Sequence, residues 1–264
     1  MAEGNKWSFF PSAALAWRVK EEAFMQDIRW IDNLKLRVGM GVVGNSAIKP
    51  YETLGDVKQY FIPFGGANDV EAYAPGTDLM SNPTLSWEKT TQYNYGIDFG
   101  FLENRIFGSL DIYHSNTTDL LLKANLPSLI GYKQTWANVG ETKNFGVELS
   151  LNAIPLKIRD FEWITSFNVA YQKEKIVELE NGKQDMLAND YFIGQPISIF
   201  YGYDNDGLWT DSPEDMAEMA KFNENGYHFA PGFVKPVDQN GDYKLDKDND
   251  YVILGNKSPH WTLG

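Results

Sequence analysis

The sequence predicts an all-β chain, an antiparallel meander of long strands spaced by long loops, and three observations carry that prediction. Apolar side chains recur at every second position in six stretches, the period of a strand with one apolar face. Aromatics make up 14% of the chain, as 16 Phe, 14 Tyr and 8 Trp, and 23 Gly interrupt the pattern, a composition that suits strands and turns better than helices. The connections also differ in kind: those at Glu103-Asn104 and around Ile158 are short, whereas those starting at Gly44, Ser115 and Lys173 are long.

In chain order, residues 7–19 read as a strand with Ala13, Leu15, Trp17 and Val19 on one parity. Residues 20–30 mix charges with Ala23, Phe24, Ile28 and Trp30, which leaves a short helical turn and a loop equally open. Residues 33–44 alternate again, Leu34, Leu36, Val38, Met40 and Val42 against Lys35, Arg37, Gly39 and Gly41. From 44 to 89 four prolines and no sustained period predict a long excursion with one short strand near 58–63. Residues 90–118 form the most regular stretch. Tyr93, Tyr95, Ile97, Phe99 and Phe101 alternate with Gln92, Asn94, Gly96, Asp98 and Gly100; after a tight turn at 102–105, Ile106, Leu110 and Ile112 continue a second strand. Residues 116–142 are another long connection, containing Tyr132 and Trp136. A second hairpin follows, with Phe145, Val147, Leu149, Leu151 and Ala153 before a turn at 155–160, and Phe161, Trp163, Phe167, Val169 and Tyr171 after it. Beyond Lys173 the period collapses apart from 197–203, a helix-like patch at 213–222 and an acidic tract at 238–250.

These strands read as roughly 10 to 13 residues, longer than the usual strand of about five or six in soluble sheets and near the nine to eleven or so of a tilted membrane strand. Short turns at one end and long loops at the other is the asymmetry of outer-membrane barrels. The polar parity is rich in Gly, Asn, Ser and Gln, which suits a wet lumen. Pattern alone nevertheless leaves a soluble β-sandwich open, its apolar parity turned to an inner core. The two differ in whether Tyr95, Ile97, Phe99, Val147 and Leu149 are exposed or buried between sheets.

Composition narrows function. A length of 264 residues suffices for a substantial core. The net charge of -13 repels phosphate backbones and anionic headgroups, which removes the main driving force for binding nucleic acid. The chain has no cysteine, so disulfides, thiolate zinc sites and thiol catalysis are excluded. Residues 1–5 lack the basic and apolar regions of a signal peptide. No run of 18 apolar residues occurs, which excludes a spanning helix and leaves spanning strands open.

Several phrases then resemble, in order, the signatures of SusC/RagA-type TonB-linked (TonB-dependent) outer-membrane receptors. They are Phe9-Phe10-Pro11-Ser12-Ala13-Ala14-Leu15-Ala16-Trp17-Arg18, then Asn33-Leu34-Lys35-Leu36-Arg37 through Gly44-Asn45, and Asn82-Pro83-Thr84-Leu85-Ser86-Trp87-Glu88-Lys89-Thr90-Thr91-Gln92. Later come Gly96-Ile97-Asp98-Phe99-Gly100 with Asn104-Arg105, Asp119-Leu120-Leu121, Asn138-Val139-Gly140-Glu141, Gly146-Val147-Glu148-Leu149, Gly194-Gln195-Pro196 and Phe200-Tyr201-Gly202-Tyr203, and finally Asp238 to Asp246 followed by Gly255-Asn256. The resemblance covers nearly the whole chain. It implies part of a transmembrane β-barrel wall with long extracellular loops in the outer membrane of a Gram-negative bacterium. The implied activity is TonB-coupled import of glycans or peptides alongside a SusD-like surface lipoprotein. Relative to the whole pattern, 1–264 is expected to be a partial barrel, with the plug domain, through which the TonB complex would act, and the closing C-terminal strands absent. On that reading the turn at Glu103-Asn104 marks the periplasmic side, Tyr93 to Phe101 meet membrane lipid, and Gln92, Asn94 and Asp98 line the lumen. The isolated chain is expected to aggregate or need detergent.

Candidate sites are few. Tyr132, Trp136, Tyr201, Tyr203 and Trp209 lie in long loops, where aromatic faces stack on sugar rings or peptide side chains, although loop packing or an interfacial girdle also accounts for them. In the 238–250 tract Asp238, Asn240, Asp242, the Lys244 carbonyl and Asp246 take positions 1, 3, 5, 7 and 9 of a Ca2+ loop. Against Ca2+, Tyr243 stands where such loops turn through Gly, and Asn249 stands where a bidentate carboxylate closes them. His114, His228 and His260 are dispersed, and Glu214, Asp215 and Glu218 read as a solvated face, so no catalytic constellation and no enzyme is expected.

Overall fold

A computed structural model of the chain describes residues 3–46, 48–63 and 69–264 and divides it into two compact units, Met1–Asp185 with His260–Gly264 and Met186–Pro259. The first is dominated by a seven-stranded antiparallel sheet. Its strands are Ser12–Arg18 (β1), Ile31–Asn45 (β2), Glu88–Phe101 (β3), Ile106–Thr118 (β4), Glu141–Ile158 (β5), Phe161–Glu178 (β6) and Trp261–Leu263 (β7). They lie side by side in chain order, so the sheet is a meander. The fold class is therefore the all-β wall that the alternation predicts, with strands of 13 to 18 residues in β2–β6. Two boundaries change. The first strand begins at Ser12, because Pro11 has no N–H for the ladder and only accepts, from Val42 N at 2.9 Å. The last long strand runs on to Glu178, past the apparent collapse at Lys173, because its backbone ladder with β5 continues where the apolar alternation stops.

Register turns the alternation into rows, since residues paired across an antiparallel ladder point to the same face. One row crosses all seven strands as Leu15, Val38, Tyr95, Ile112, Val147, Tyr171 and Trp261, and the next as Trp17, Leu36, Ile97, Leu110, Leu149, Val169 and Leu263. The opposite face carries Ala16, Arg37, Gly96, Asp111, Glu148, Ala170 and Thr262 in one row and Arg18, Lys35, Asp98, Ser109, Ser150 and Asn168 in another.

The connections sort by end. At one end sit the turns 102–105 and 159–160, with residues 19–30. The latter form 3-10 turns at Val19–Glu21 and Ala23–Met25, and they bury Val19 and Met25 with Ile31 against Leu34, Leu36 and Phe101. The 102–105 turn places Leu102, Glu103 and Asn104 all at positive φ and is held by Asn104 N donating to the Asp32 carboxylate at 2.8 Å. At the other end the long loops carry structure of their own. Val57–Pro63 pairs with Asp69–Pro75, a hairpin of which the alternation shows only the first strand; Gln134–Asn138 pairs with Leu121–Asn125 and with Leu79–Met80. Asp78, accepting from Lys133 at 2.8 Å and from Lys58, ties these loops together, and the two ammonium groups hold its carboxyl at about 2.

The second unit, Met186–Pro259, pairs Ile199–Tyr203 with Tyr251–Asn256 and Asn205–Leu208 with Val234–Pro236. Its helix Pro213–Glu224 starts with Ser212 accepting from Asp215 N at 3.2 Å and Pro213 in the first turn, the pattern of a capped N-terminus. Trp209, Met219 and Phe222 form its core, with Tyr227, Phe229, Tyr243 and Leu245 packed against them.

Candidate functional site

The polar face of the wall is the first candidate, because its side chains are organised by the ladder itself. Arg37 on β2 donates from Nε and Nη2 to Asp98 on β3 at 3.0 and 2.8 Å, and Nη2 also reaches Asp111 on β4 at 2.9 Å; Lys35 lies 3.5 Å from the same Asp98. Gly96, between Arg37 and Asp111 in the register, makes room for this network: a Cβ there would fall 2.6 Å from the Arg37 guanidinium and 2.7 Å from the Asp111 carboxylate. Tyr113 similarly lies over Gly146. Cavities of about 500 and 340 Å³ open on this face, the first against Asn33, Asp98, Asn104 and Ser109 and the second against Asp111, Glu148, Ser150 and Asn168. Gln92 and Asn94, also on this side, are hydrogen bonded to one another at 3.0 Å. The network is visible in the sequence only as charged residues on one parity; which residues meet depends on a register set by the turns.

On the opposite face the apolar rows remain at the surface. Tyr95 and Ile97 are exposed and Phe99, Val147 and Leu149 are partly exposed, none of them buried as a sandwich core requires. Aromatics mark both borders of this band. Trp30, Phe101, Phe161 and Trp163 lie toward the short-turn end, and Tyr93, Tyr95, Phe145, Tyr171 and Trp261 toward the long loops. Eight residues separate Tyr93 from Phe101, a strand length of about 27 Å and about 20 Å of height at a tilt near 40°, close to the apolar band of about 25 Å that surrounds an outer-membrane barrel.

The five loop aromatics do not converge on one site. Tyr132 and Trp136 belong to the first unit, and Tyr201, Tyr203 and Trp209 to the second. Trp136 is half-buried under Lys123, whose Nζ lies 5.3 Å from its ring. Tyr201 packs on Phe192 and Tyr251, and Tyr203 on Tyr251, leaving both half-buried. Trp209 takes the loop-packing role left open for it: it is 1% exposed, boxed by Phe222 and Phe229, with Lys235 Nζ 4.7 Å above its ring. Its surface is used for folding. Asp215 and Glu218 likewise are not a bare solvated face. Asp215 accepts from Thr210 N and Oγ1 and from Lys235 Nζ at 3.0 Å, and these donors hold its carboxyl at about 2; Glu218 takes Lys235 at 2.9 Å.

In the acidic loop the expected cation ligands also hold the loop's own backbone. Asp238 accepts from Gly241 N and Tyr243 N at 2.7 and 2.6 Å, Asn240 from Asp242 N, Asp242 from Lys244 N, and Asp246 from Asp248 N and Asn249 N. Tyr243 adopts the positive φ of 60° that the turn needs, yet Asn249 folds back on Asp246, and the buried Asp250 serves Gln239 N and Asp246 N. Among the described residues no three His, Cys, Asp or Glu side chains form a group that could hold a metal ion, and the Ca2+ expectation for Asp238, Asn240, Asp242, Lys244 and Asp246 rests on their spacing alone.

The phrases quoted from the sequence are structural clasps. Asn138 Oδ1 accepts from Ser86 N at 2.7 Å while its Nδ2 donates to Ser86 O and Asp119 O; Asn82 Nδ2 reaches Trp136 O; and Leu85 between them is wholly buried. Trp87 Nε1 donates to Asn5 O and its ring meets Phe10 edge-on.

Comparison with known proteins places this geometry. Residues 2–263 match the model of a family described as TonB dependent receptor-like, beta-barrel. The TonB-dependent receptor SusC of Bacteroides thetaiotaomicron is 32% identical over 95% of this chain and 25% of its own length, and the TonB-dependent receptor P3 of Formosa agariphila is 31% identical over 100% and 27%. Among solved structures, the RagAB peptide transporter superposes with a TM-score of 0.75 at 25% identity, covering all of this chain and 28% of that one. The chain thus spans about a quarter of the length of the curated relatives it matches.

Proposed function

We propose that this chain, which belongs to the TonB dependent receptor-like β-barrel family, builds one stretch of the wall of an energy-coupled importer of glycans or peptides. It is a protein of the Gram-negative outer membrane. The observation that carries the reading is the pair of apolar rows running unburied across seven strands, backed by a charged and hydroxylic face: one side is made for lipid and the other for water. Its matched relatives are receptors and transporters rather than enzymes. Transport fits the chemistry of the polar face, where Lys35 and Arg37 balance Asp98 and Asp111 and leave no activated nucleophile or base. In this reading a SusD-like surface lipoprotein works at the long-loop end and the TonB complex acts through a plug region beyond these residues.

Uptake decides it. Cells deleted for the receptor, and cells with TonB disabled, are given a fluorescent oligopeptide mixture or a fluorescent oligosaccharide mixture. The expected result is loss of uptake of one of the two in both strains, which also names the substrate class. Unchanged uptake of both overturns the assignment.

A further inference from the structure

We infer that the polar face of β4–β6 holds a subsite for neutral saccharides, with the Tyr113 ring as its platform and Glu148, Asn168 and Gln172 as its polar contacts. The inference rests on the importer reading above, since it needs this face to line the lumen, and it names the substrate class. Tyr113 stands in the long-loop half of β4, in the row Ala14, Gly39, Asn94, Tyr113, Gly146 and Gln172. Its ring leans across the ladder onto Gly146, which is buried beneath it: a Cβ at Gly146 would collide with Cζ and Oη of Tyr113. A half-buried ring laid against the sheet in this way turns its other face to the lumen. The cavity of about 340 Å³ opens beside it, against Asp111, Glu148, Ser150 and Asn168. Asp111 and Glu148 are paired in the register and stand two positions along their strands from Tyr113 and Gly146, so ring and cavity adjoin.

The two halves of the polar face differ in what they leave free. Around Arg37 the charges engage one another. Around Tyr113 they do not: among the described residues the side chains of Tyr113, Glu148, Ser150, Asn168 and Gln172 make no hydrogen bond or ion pair. The chemistry of this free half selects its ligand. On the same face, 109–117, 142–152 and 166–174 carry Asp111, Glu148 and Glu174 and neither Lys nor Arg, so an anionic ligand meets repulsion there. Capture of a peptide as an added strand is closed too. β4 and β5 are paired on both sides, and Asn168 N and Gln172 N of β6 already donate to Gly264 O and His260 O. What remains is an apolar ring face beside a carboxylate acceptor, amides and hydroxyls that donate and accept. A pyranose has the complementary surface, C–H groups on one face and hydroxyls around its rim, and Glu148 has two oxygens to take neighbouring hydroxyls.

The receptor, purified in detergent, is applied to an array of neutral oligosaccharides, uronate-bearing oligosaccharides and oligopeptides. Wild type is expected to bind the neutral oligosaccharides. E148Q, which breaks no ion pair of the fold, is expected to weaken that binding about tenfold, the loss of one hydrogen bond to a charged acceptor. Y113A is expected to weaken it comparably, whereas Y113F, which keeps the ring, retains most of it. Neutral-saccharide binding unchanged in E148Q overturns the inference even if Y113A does not fold. Wild-type binding to the oligopeptides or the uronates alone, or to nothing on the array, overturns it as well. Failure of the importer reading shows elsewhere: deletion of the receptor then leaves uptake of both fluorescent mixtures unchanged, whatever the array records.

Discussion

The wall and the 186–259 unit are made stable in opposite ways. In the wall, large apolar side chains such as Leu15, Val38, Tyr95 and Trp261 stay exposed, and order comes from a backbone ladder and rows of matched side chains. In 186–259, Trp209, Met219 and Phe222 are buried and surrounded by aromatic neighbours at centroid distances of 5.5 to 6.0 Å. The difference teaches where each part finds its solvent. A ladder with one apolar face satisfies its hydrogen bonds but leaves its hydrophobic surface for lipid to cover, whereas a loop unit in water must bury its own.

The largest expected effect breaks the second region alone. Trp209→Ala removes the central ring of its core and should cost about 3–5 kcal/mol. In hydrogen exchange read by mass spectrometry, peptides of 186–259 should lose protection while β3–β6 keep theirs. Equal loss in both regions would mean that the two are not separately cooperative. Next in size is Ile97→Arg in the middle of the apolar row, which should cost about 2–4 kcal/mol of folding free energy in bilayers. Gln92→Arg, on the wet face, should be nearly neutral. If the two variants unfold at the same denaturant concentration, the faces are misassigned.

Much of this contrast is legible in the sequence, and the boundary of what is legible is physical. Alternation around Tyr93–Phe101 and Phe145–Ala153 displays a two-faced strand directly, and the helix at 213–224 shows through Ser212, Pro213 and Glu214. The Arg37–Asp98–Asp111 network depends on two registers, β2 with β3 and β3 with β4; the positive-φ residues of the 102–104 turn join only the second pair, and no periodicity displays either. The strand Asp69–Pro75 is short and carries small residues at Ala72 and Ala74, so its alternation is faint. The sequence leaves two roles open for Trp209 because an aromatic in a loop looks alike whether it faces ligand or a small private core; the convergence of Phe222, Phe229 and Lys235 on it separates the two.

A smaller effect sharpens the comparison through pH. Asp215 is held at about 2 by Thr210 and Lys235, below the usual carboxylate value of about 3.9. A depressed carboxyl stabilises the fold above its unfolded value, and that contribution is lost as pH falls from about 4 toward 2. Exchange protection in 186–259 should therefore decline across that window, and Asp215→Asn should flatten the decline while lowering protection at neutral pH. An unchanged acid limb in the variant would remove Asp215 as its cause.

The smallest expected effect is none at all, and it is informative for that reason. Because Asp238, Asp242 and Asp246 are already satisfied by backbone N–H groups of their own loop, removing divalent cations should leave it unaltered. Adding EDTA or millimolar Ca2+ should not move exchange protection at 238–250, whereas Asp238→Ala, which strips acceptors from Gly241 and Tyr243, should raise exchange there without any metal present. A protection gain with Ca2+ would mean that the carboxylates can turn from those N–H groups to a cation, and the loop would then join the wall in depending on something outside the chain to complete it.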